Sequence, residues 1–245
     1  MNTRLHAFAA LGLAALLGAT AAQAQTGPGP GPSRTYTPGA FDELEIHGSA
    51  ELRFAQGDTD QVVVEGDEQV QRDVKLDLQG SRLSIRQAGT WKFWNHRRLQ
   101  VSVTARDLKR LSISGAADVL AARTVRVGSL KVEIAGAGLA RFDDLQAEEL
   151  RFSVSGAGDG QFSGAVDQLV IGVSGKSDFR GEQLRSQRAR VAVSGLGDVA
   201  VWAEATLTIA VSGIGTVDYW GTPNVKRSTA GLATVNARGA KAAGP

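Results

Sequence analysis

Phe152-Ser-Val-Ser-Gly156, Ile171-Gly-Val-Ser-Gly175, Val191-Ala-Val-Ser-Gly195 and Ile209-Ala-Val-Ser-Gly213 are four copies of one pentapeptide, and their even spacing decides the fold. Leu111-Ser-Ile-Ser-Gly115 and Val132-Glu-Ile-Ala-Gly136 precede them, and a degenerate copy ends at Gly231. From Gly115 to Gly231 the closing glycine returns with a period of roughly 20 residues. A period held that steadily through most of the chain marks stacked units rather than a sandwich.

The pentapeptide has physical content. Its first and third residues are apolar in all six full copies, and most are β-branched, which sets them on one face of a strand. The fourth is Ser or Ala, small enough for a sharp corner. The glycine is expected to take a positive φ that a side chain would penalise. A second strand follows, with inward residues such as Val199 and Val201, or Val217 and Tyr219. A turn of roughly 18–21 residues has no room for two strands and a packed helix. Each turn therefore stacks on the next at about 4.8 Å around a narrow core. The expected fold is all-β: a single-domain β-solenoid, wound as a right-handed parallel β-helix.

The N-terminal part carries the same template in looser form. Leu44-Glu-Ile-His-Gly48 fits it, and alternating runs follow around Val62–Val64, Val74–Leu78, Leu83–Ile85 and Leu99–Val103. The stretch from Gly48 to Gly115 is somewhat longer than three of the later turns, and it reads as three wider turns with longer loops. Residues 40–237 thus form one domain, and no segment within it has helical periodicity.

Outside the domain, residues 1–24 read as a secretory signal peptide. Arg4 supplies the basic start, Ala7 to Ala22 the apolar stretch, and Ala22-Gln-Ala24 the cleavage pattern. Residues 25–39 are rich in Gly and Pro and read as a linker, and 238–245 as a disordered tail. With 27 basic and 25 acidic side chains the balance is too even for a nucleic-acid-binding face. The chain has no cysteine, so burial and backbone pairing alone hold the fold.

The Val-Ser-Gly-x-Gly-Asp units, the alternating N-terminal strands and the closing Gly213-Ile-Gly-Thr-Val-Asp-Tyr-Trp-Gly-Thr-Pro223 resemble the putative auto-transporter adhesin, head GIN domain family. The resemblance spans roughly residues 40–237. It implies an exported β-helical domain of the bacterial envelope with no catalytic residues to transfer. An auto-transporter also needs a membrane barrel of outward-apolar strands. Here the repeat takes up the sequence, so no such barrel is expected.

Candidate sites stand beside plainer readings. Asp118, Asp159, Asp178 and Asp198 share the third position after the glycine, where stacked carboxylates attract Ca²⁺. Leu139 and Thr216 interrupt that row, and Asp at a corner commonly accepts a hydrogen bond from its own turn, so no metal or cofactor is expected. Trp91, Phe93, Trp94, His96, Arg97 and Arg98 form an aromatic and cationic loop that either contacts a partner or plugs the open end of the coil. Trp202 and Trp220 read as outward-facing. The column of Ser114, Ser155, Ser174, Ser194 and Ser212 is a packing requirement. A Ser/His/acid triad is not assembled from the only two mature histidines, His47 and His96.

The favoured functional reading is a non-catalytic envelope protein, a rigid module for adhesion or scaffolding. Its partner would be a glycan or another cell-surface component, and it would be a monomer in the periplasm or outside the cell, with no membrane span once the signal is cleaved. The alternatives are a carbohydrate-active β-helix enzyme and a self-assembling structural protein.

Overall fold

The computed structural model describes residues 32–66, 68–87 and 99–241. The segment read as a signal peptide, residues 25–31 of the expected linker and the whole of the expected aromatic loop Trp91–Arg98 lie outside these.

Among the described residues, sixteen strands and one helix follow in chain order. They are β1 (Ser33–Tyr36), β2 (Glu43–His47), β3 (Ser49–Gln56), β4 (Gln61–Glu65), α1 (Glu68–Asp73), β5 (Val74–Gln79), β6 (Arg82–Gln87) and β7 (Leu99–Ala105), then β8 (Arg110–Ile113). The regular part comprises β9 (Ala116–Ile134), β10 (Ala137–Val154), β11 (Ala157–Val173), β12 (Lys176–Val193) and β13 (Leu196–Val211). It closes with β14 (Ile214–Trp220), β15 (Asn224–Thr229) and β16 (Leu232–Ala237). All strands join one sheet, coiled as the expected β-solenoid.

Each of β9 to β13 runs from one Ser/Ala-Gly corner to the next and forms one rung. It pairs in parallel with the rungs on either side and changes register midway, as between Phe142 and Leu145. These irregularities are the second corner of each rung.

The repeat glycines line up, but for a different reason than expected. Only Gly48 among them has a left-handed φ, at 100°. A Cβ built on Gly136 would lie 2.0 Å from the Gly115 carbonyl oxygen, and one on Gly175 would lie 1.8 Å from that of Gly156. Backbone stacks directly on backbone here. The next residue's N–H then reaches the glycine carbonyl of the rung before, as Lys176 does to Gly156 at 2.9 Å. Glycine is required by close approach rather than by its dihedral freedom.

The core confirms the alternation. Leu111/Ile113, Val132/Ile134, Phe152/Val154, Ile171/Val173, Val191/Val193 and Ile209/Val211 are all buried. One cluster runs from Phe41 to Val217, so the domain is single. Phe142, Phe162 and Phe179 stack down its middle at 5.4 and 5.6 Å, with Phe152 edge-on to Phe162 at 5.7 Å. Gly160 and Gly181 leave the space these rings need, since a Cβ there would sit 2.8 Å from Phe152 and 2.5 Å from Phe179.

The N-terminal third departs from the sequence reading. Gly48 and Gly115 are adjacent in the stack: Ala116 N–H donates to Gly48 O at 2.8 Å, and β2 and β3 pair with β8 and β9. The segment between the two glycines is not three successive turns. β6 and β7 pair with the far sides of β2 and β3, so a later segment stacks outside an earlier one. Antiparallel β4 and β5 cover that outer rung.

Two smaller expectations are also corrected. The linker's last part is not structureless, because β1 pairs antiparallel with β4. Ser33–Tyr36 lies between Pro32 and Pro38 and is itself proline-free, which leaves its N–H donors intact. The segment before β5 holds the short helix α1, tied to the linker by Gln71 Nε2, which donates to Pro32 O at 3.2 Å and to Gly66 O at 2.9 Å.

At the other end β15 and β16 each pair on one side only. Arg227 occupies the inward column directly beneath Ile209, yet it is exposed. The last rung therefore presents a charge where its predecessors present a core residue, a device that discourages edge-to-edge stacking.

Candidate functional site

The second corner of each rung builds a furrow down the solenoid axis, with a volume of about 830 Å³. Three consecutive positions repeat there. Arg126, Gln146, Ala165 and Arg185 stack in register as one wall. Val127 and Ala147, both partly buried, and buried Val166 stack as an apolar floor. Gly128, Glu148, Asp167 and Gln187 line the opposite side. Arg126 and Arg185 are three rungs apart, about 14 Å along the axis.

Gln56 closes the N-terminal end. Its Nε2 donates to the carbonyls of Arg106 (3.0 Å) and Arg126 (2.8 Å), and its Oε1 accepts from Arg126 N–H at 2.7 Å. Arg106 is held by Asp60, with Nε at 2.8 Å. Below Arg126, Thr124 and Gln146 donate to Asp144, and these hydrogen bonds hold its carboxyl below the ordinary range. One side of the furrow thus offers guanidinium and amide donors, and the other offers carboxylates and an amide. The floor between them is apolar. That combination suits a polyhydroxylated chain whose ring faces rest on the floor.

The corner aspartates do different work. Asp118 Oδ1 accepts from Leu139 N–H (3.2 Å), Asp159 Oδ1 from Asp178 N–H (2.9 Å) and Asp198 Oδ1 from Thr216 N–H (2.9 Å). Each of these three bonds to the next rung, where a bond within its own turn was expected. Between Ala157/Lys176 and Gly160/Phe179, and between Leu196/Ile214 and Val199/Val217, the backbone pairs are missing. Asp159 and Asp198 supply the acceptor at those gaps. Among the described residues no group of three or more His, Asp or Glu is placed to hold a metal.

The serine column holds one unexpected grouping. Ser114 Oγ lies 2.6 Å from His47 Nδ1, and His47 Nε2 lies 3.3 Å from Glu45 Oε2, which accepts from Ser84 at 2.8 Å. The sequence reading saw no such cluster, because Glu45 and His47 precede Ser114 by a segment that folds outside them. The His47–Glu45 approach lacks hydrogen-bond alignment. Ser114 Oγ also lies 3.2 Å from the carbonyl of Ile46, to which it donates. The group links neighbouring rungs, as Ser174 and Ser194 do through Val154 O and Val173 O.

Trp202 faces outward, as alternation predicts, but it is not exposed. It is 5 % exposed but stands outside the core cluster, so it is covered from without. Trp202 and Trp220 continue the column Arg126–Gln146–Ala165–Arg185 by two rungs. Residues 238–241 cross them, correcting the expectation of a loose tail at that point. Arg238 N–H donates to Tyr219 O at 2.8 Å, its guanidinium bonds Asp218 at 2.9 Å, and Gly221 N–H donates to Gly239 O at 3.0 Å. Lys241 Nζ sits 5.4 and 5.7 Å from the two indole centroids and donates to Glu182 O.

Residues 40–223 match the family model of the putative auto-transporter adhesin, head GIN domain. The chain belongs to this family. Solved structures with this head GIN fold include a putative adhesin from Bacteroides fragilis, with a TM-score of 0.80 and 20 % identity over 83 % of this chain and 95 % of that one. A putative adhesin from Parabacteroides distasonis aligns with a TM-score of 0.65 and 19 % identity over 83 % and 95 %. A putative lipid binding protein from the same species aligns with a TM-score of 0.64 and 18 % identity over 88 % and 98 %. At these identities the likeness concerns the fold. No curated protein matches the sequence. No described helix of this head GIN protein is long and apolar enough to cross a membrane.

Proposed function

We infer that the protein is an exported, adhesion-like binding module that holds a linear glycan of the envelope or of another cell surface along its axial furrow. The observation carrying this reading is the three-column corner, in which the donors Arg126, Gln146 and Arg185 and the acceptors Glu148, Asp167 and Gln187 flank an apolar floor over successive rungs. A polymer lying along the axis meets the same chemistry repeatedly, and several weak contacts on one chain add up without any deep pocket. Family membership supports surface binding, and the signal-like segment at positions 1–24 supports export.

The test is binding of linear hexasaccharides, chitohexaose and cellohexaose, by calorimetry to the protein and to its Arg126→Ala/Gln146→Ala variant. Binding that the double variant weakens about tenfold or more upholds the reading. Equal affinity for both proteins, or none for either, refutes it. Fractionation with surface-protease accessibility then separates a periplasmic from an external location.

A further inference from the structure

We propose that Trp202 and Trp220 are two additional sugar subsites at the C-terminal end of the furrow, covered by the chain's own residues 238–241. The proposal rests on the glycan reading above and extends it to an aromatic platform closed by a strap.

Four observations converge. The two indoles continue the furrow wall in register after Arg185, and Ser186 and Ala203 continue its floor after Val166. Trp202 is buried without belonging to the core, and Lys241 is the cation set over both rings. An indole face that accepts an ammonium also accepts the polarised C–H face of a pyranose, since both present positive charge to the ring. Finally, Trp202 Nε1 and Glu182 Oε2 are buried without a hydrogen-bond partner among the described residues. Sugar hydroxyls supply the acceptor that the indole N–H lacks and the donor that Glu182 Oε2 lacks, whereas the Lys241 ammonium cannot accept from the indole and donates to Glu182 O instead.

The strap is suited to leaving. Its side-chain anchor, Arg238 to Asp218, is half-exposed on the arginine side, and such pairs add little. Its remaining anchors are the two backbone bonds at Tyr219 and Gly221 and the Lys241 contacts with Glu182 O and the rings. Gly239 in the middle has a left-handed φ of 89°, a conformation without strain only for glycine. Lifting residues 238–241 lengthens the furrow by two rungs, about 10 Å.

The test uses the full chain in three forms: unaltered, Arg238→Ala/Lys241→Ala to free the strap, and the freed form with Trp202→Ala. Acrylamide quenching of tryptophan emission reports whether the indoles are uncovered, and calorimetry with chitohexaose and cellohexaose reports affinity. Circular dichroism melting checks that every variant is folded. The expected result is stronger quenching and about tenfold tighter binding for the freed form, with the gain abolished by Trp202→Ala. Unchanged quenching overturns the proposal, because the strap is then not what covers the rings. Stronger quenching without tighter binding also overturns it, while Arg126→Ala/Gln146→Ala still reports separately on the furrow.

Discussion

Gly172 and Gly175 stand close together in one rung and predict opposite responses to the same methyl group. A Cβ on Gly172 meets nothing within 4 Å, and its φ is not left-handed. Gly172→Ala therefore leaves the fold intact and restricts the unfolded chain, a change between neutral and about 1 kcal/mol stabilising. A Cβ on Gly175 would stand 1.8 Å from Gly156 O and 2.8 Å from Ser155 O, against a practical limit near 3.0 Å. The rungs must part there by roughly 1 Å before that contact becomes tolerable. Such a shift takes the bonds Ser174 N–H to Val154 O and Lys176 N–H to Gly156 O, both 2.9 Å, out of range. Two buried-edge hydrogen bonds at about 1 kcal/mol each, with about 1–3 kcal/mol of overpacking strain, put the loss for Gly175→Ala near 3–5 kcal/mol. Urea denaturation followed by circular dichroism reads both variants as midpoint shifts at constant slope. A Gly175→Ala protein within about 1 kcal/mol of the Gly172→Ala protein would refute the close-stacking account of the glycine column.

Other outcomes follow from the same geometry. Phe162→Ala empties the middle of the ring stack and is expected to cost about 3–5 kcal/mol in the same urea assay, whereas a loss under about 1 kcal/mol would mean the rings repack freely. Asp218 has its carboxyl lowered chiefly by the Arg238 hydrogen bond, with Asn236 adding to it, from an ordinary value of 3.8. A folded value below the unfolded one means the carboxylate's contribution is fully present above about pH 4 and is lost as the pH falls through the folded value. Asp218→Asn should flatten the stability profile in that acid range, and melting scans at pH 5 and pH 3 check it. Arg227→Ile completes the inward column of the last rung and should shift the protein to higher mass in size-exclusion chromatography with light scattering. An unchanged mass would show that the end-rung charge does not limit association.

The regular rungs were legible because their information is local. Two apolar residues, a small residue and a glycine recur within each pentapeptide, and period-two alternation assigns the inward pair of each copy, from Leu111/Ile113 to Ile209/Val211. What escaped the sequence is non-local. Nothing near Leu83 or Leu99 says that β6 and β7 stack outside β2 and β3, since each segment offers the same alternating face to any parallel neighbour. The reason for the glycines lies in a carbonyl one rung away. The furrow was missed because its columns, such as Arg126–Gln146–Ala165–Arg185, share position but not residue type. Trp202 looked outward by alternation, and it is outward; the cation set over its ring is Lys241, two rungs further along the chain.

The solenoid's corners make its length countable. Because every rung enters and leaves through the same glycine column, a whole rung can be gained or lost without disturbing those on either side, whereas half a rung would turn the core side chains outward. Size in this architecture changes in steps. Each step adds about 4.8 Å to the furrow. Duplicating the codons of a single rung lengthens the coil by that step, with no redesign of the contacts between rungs.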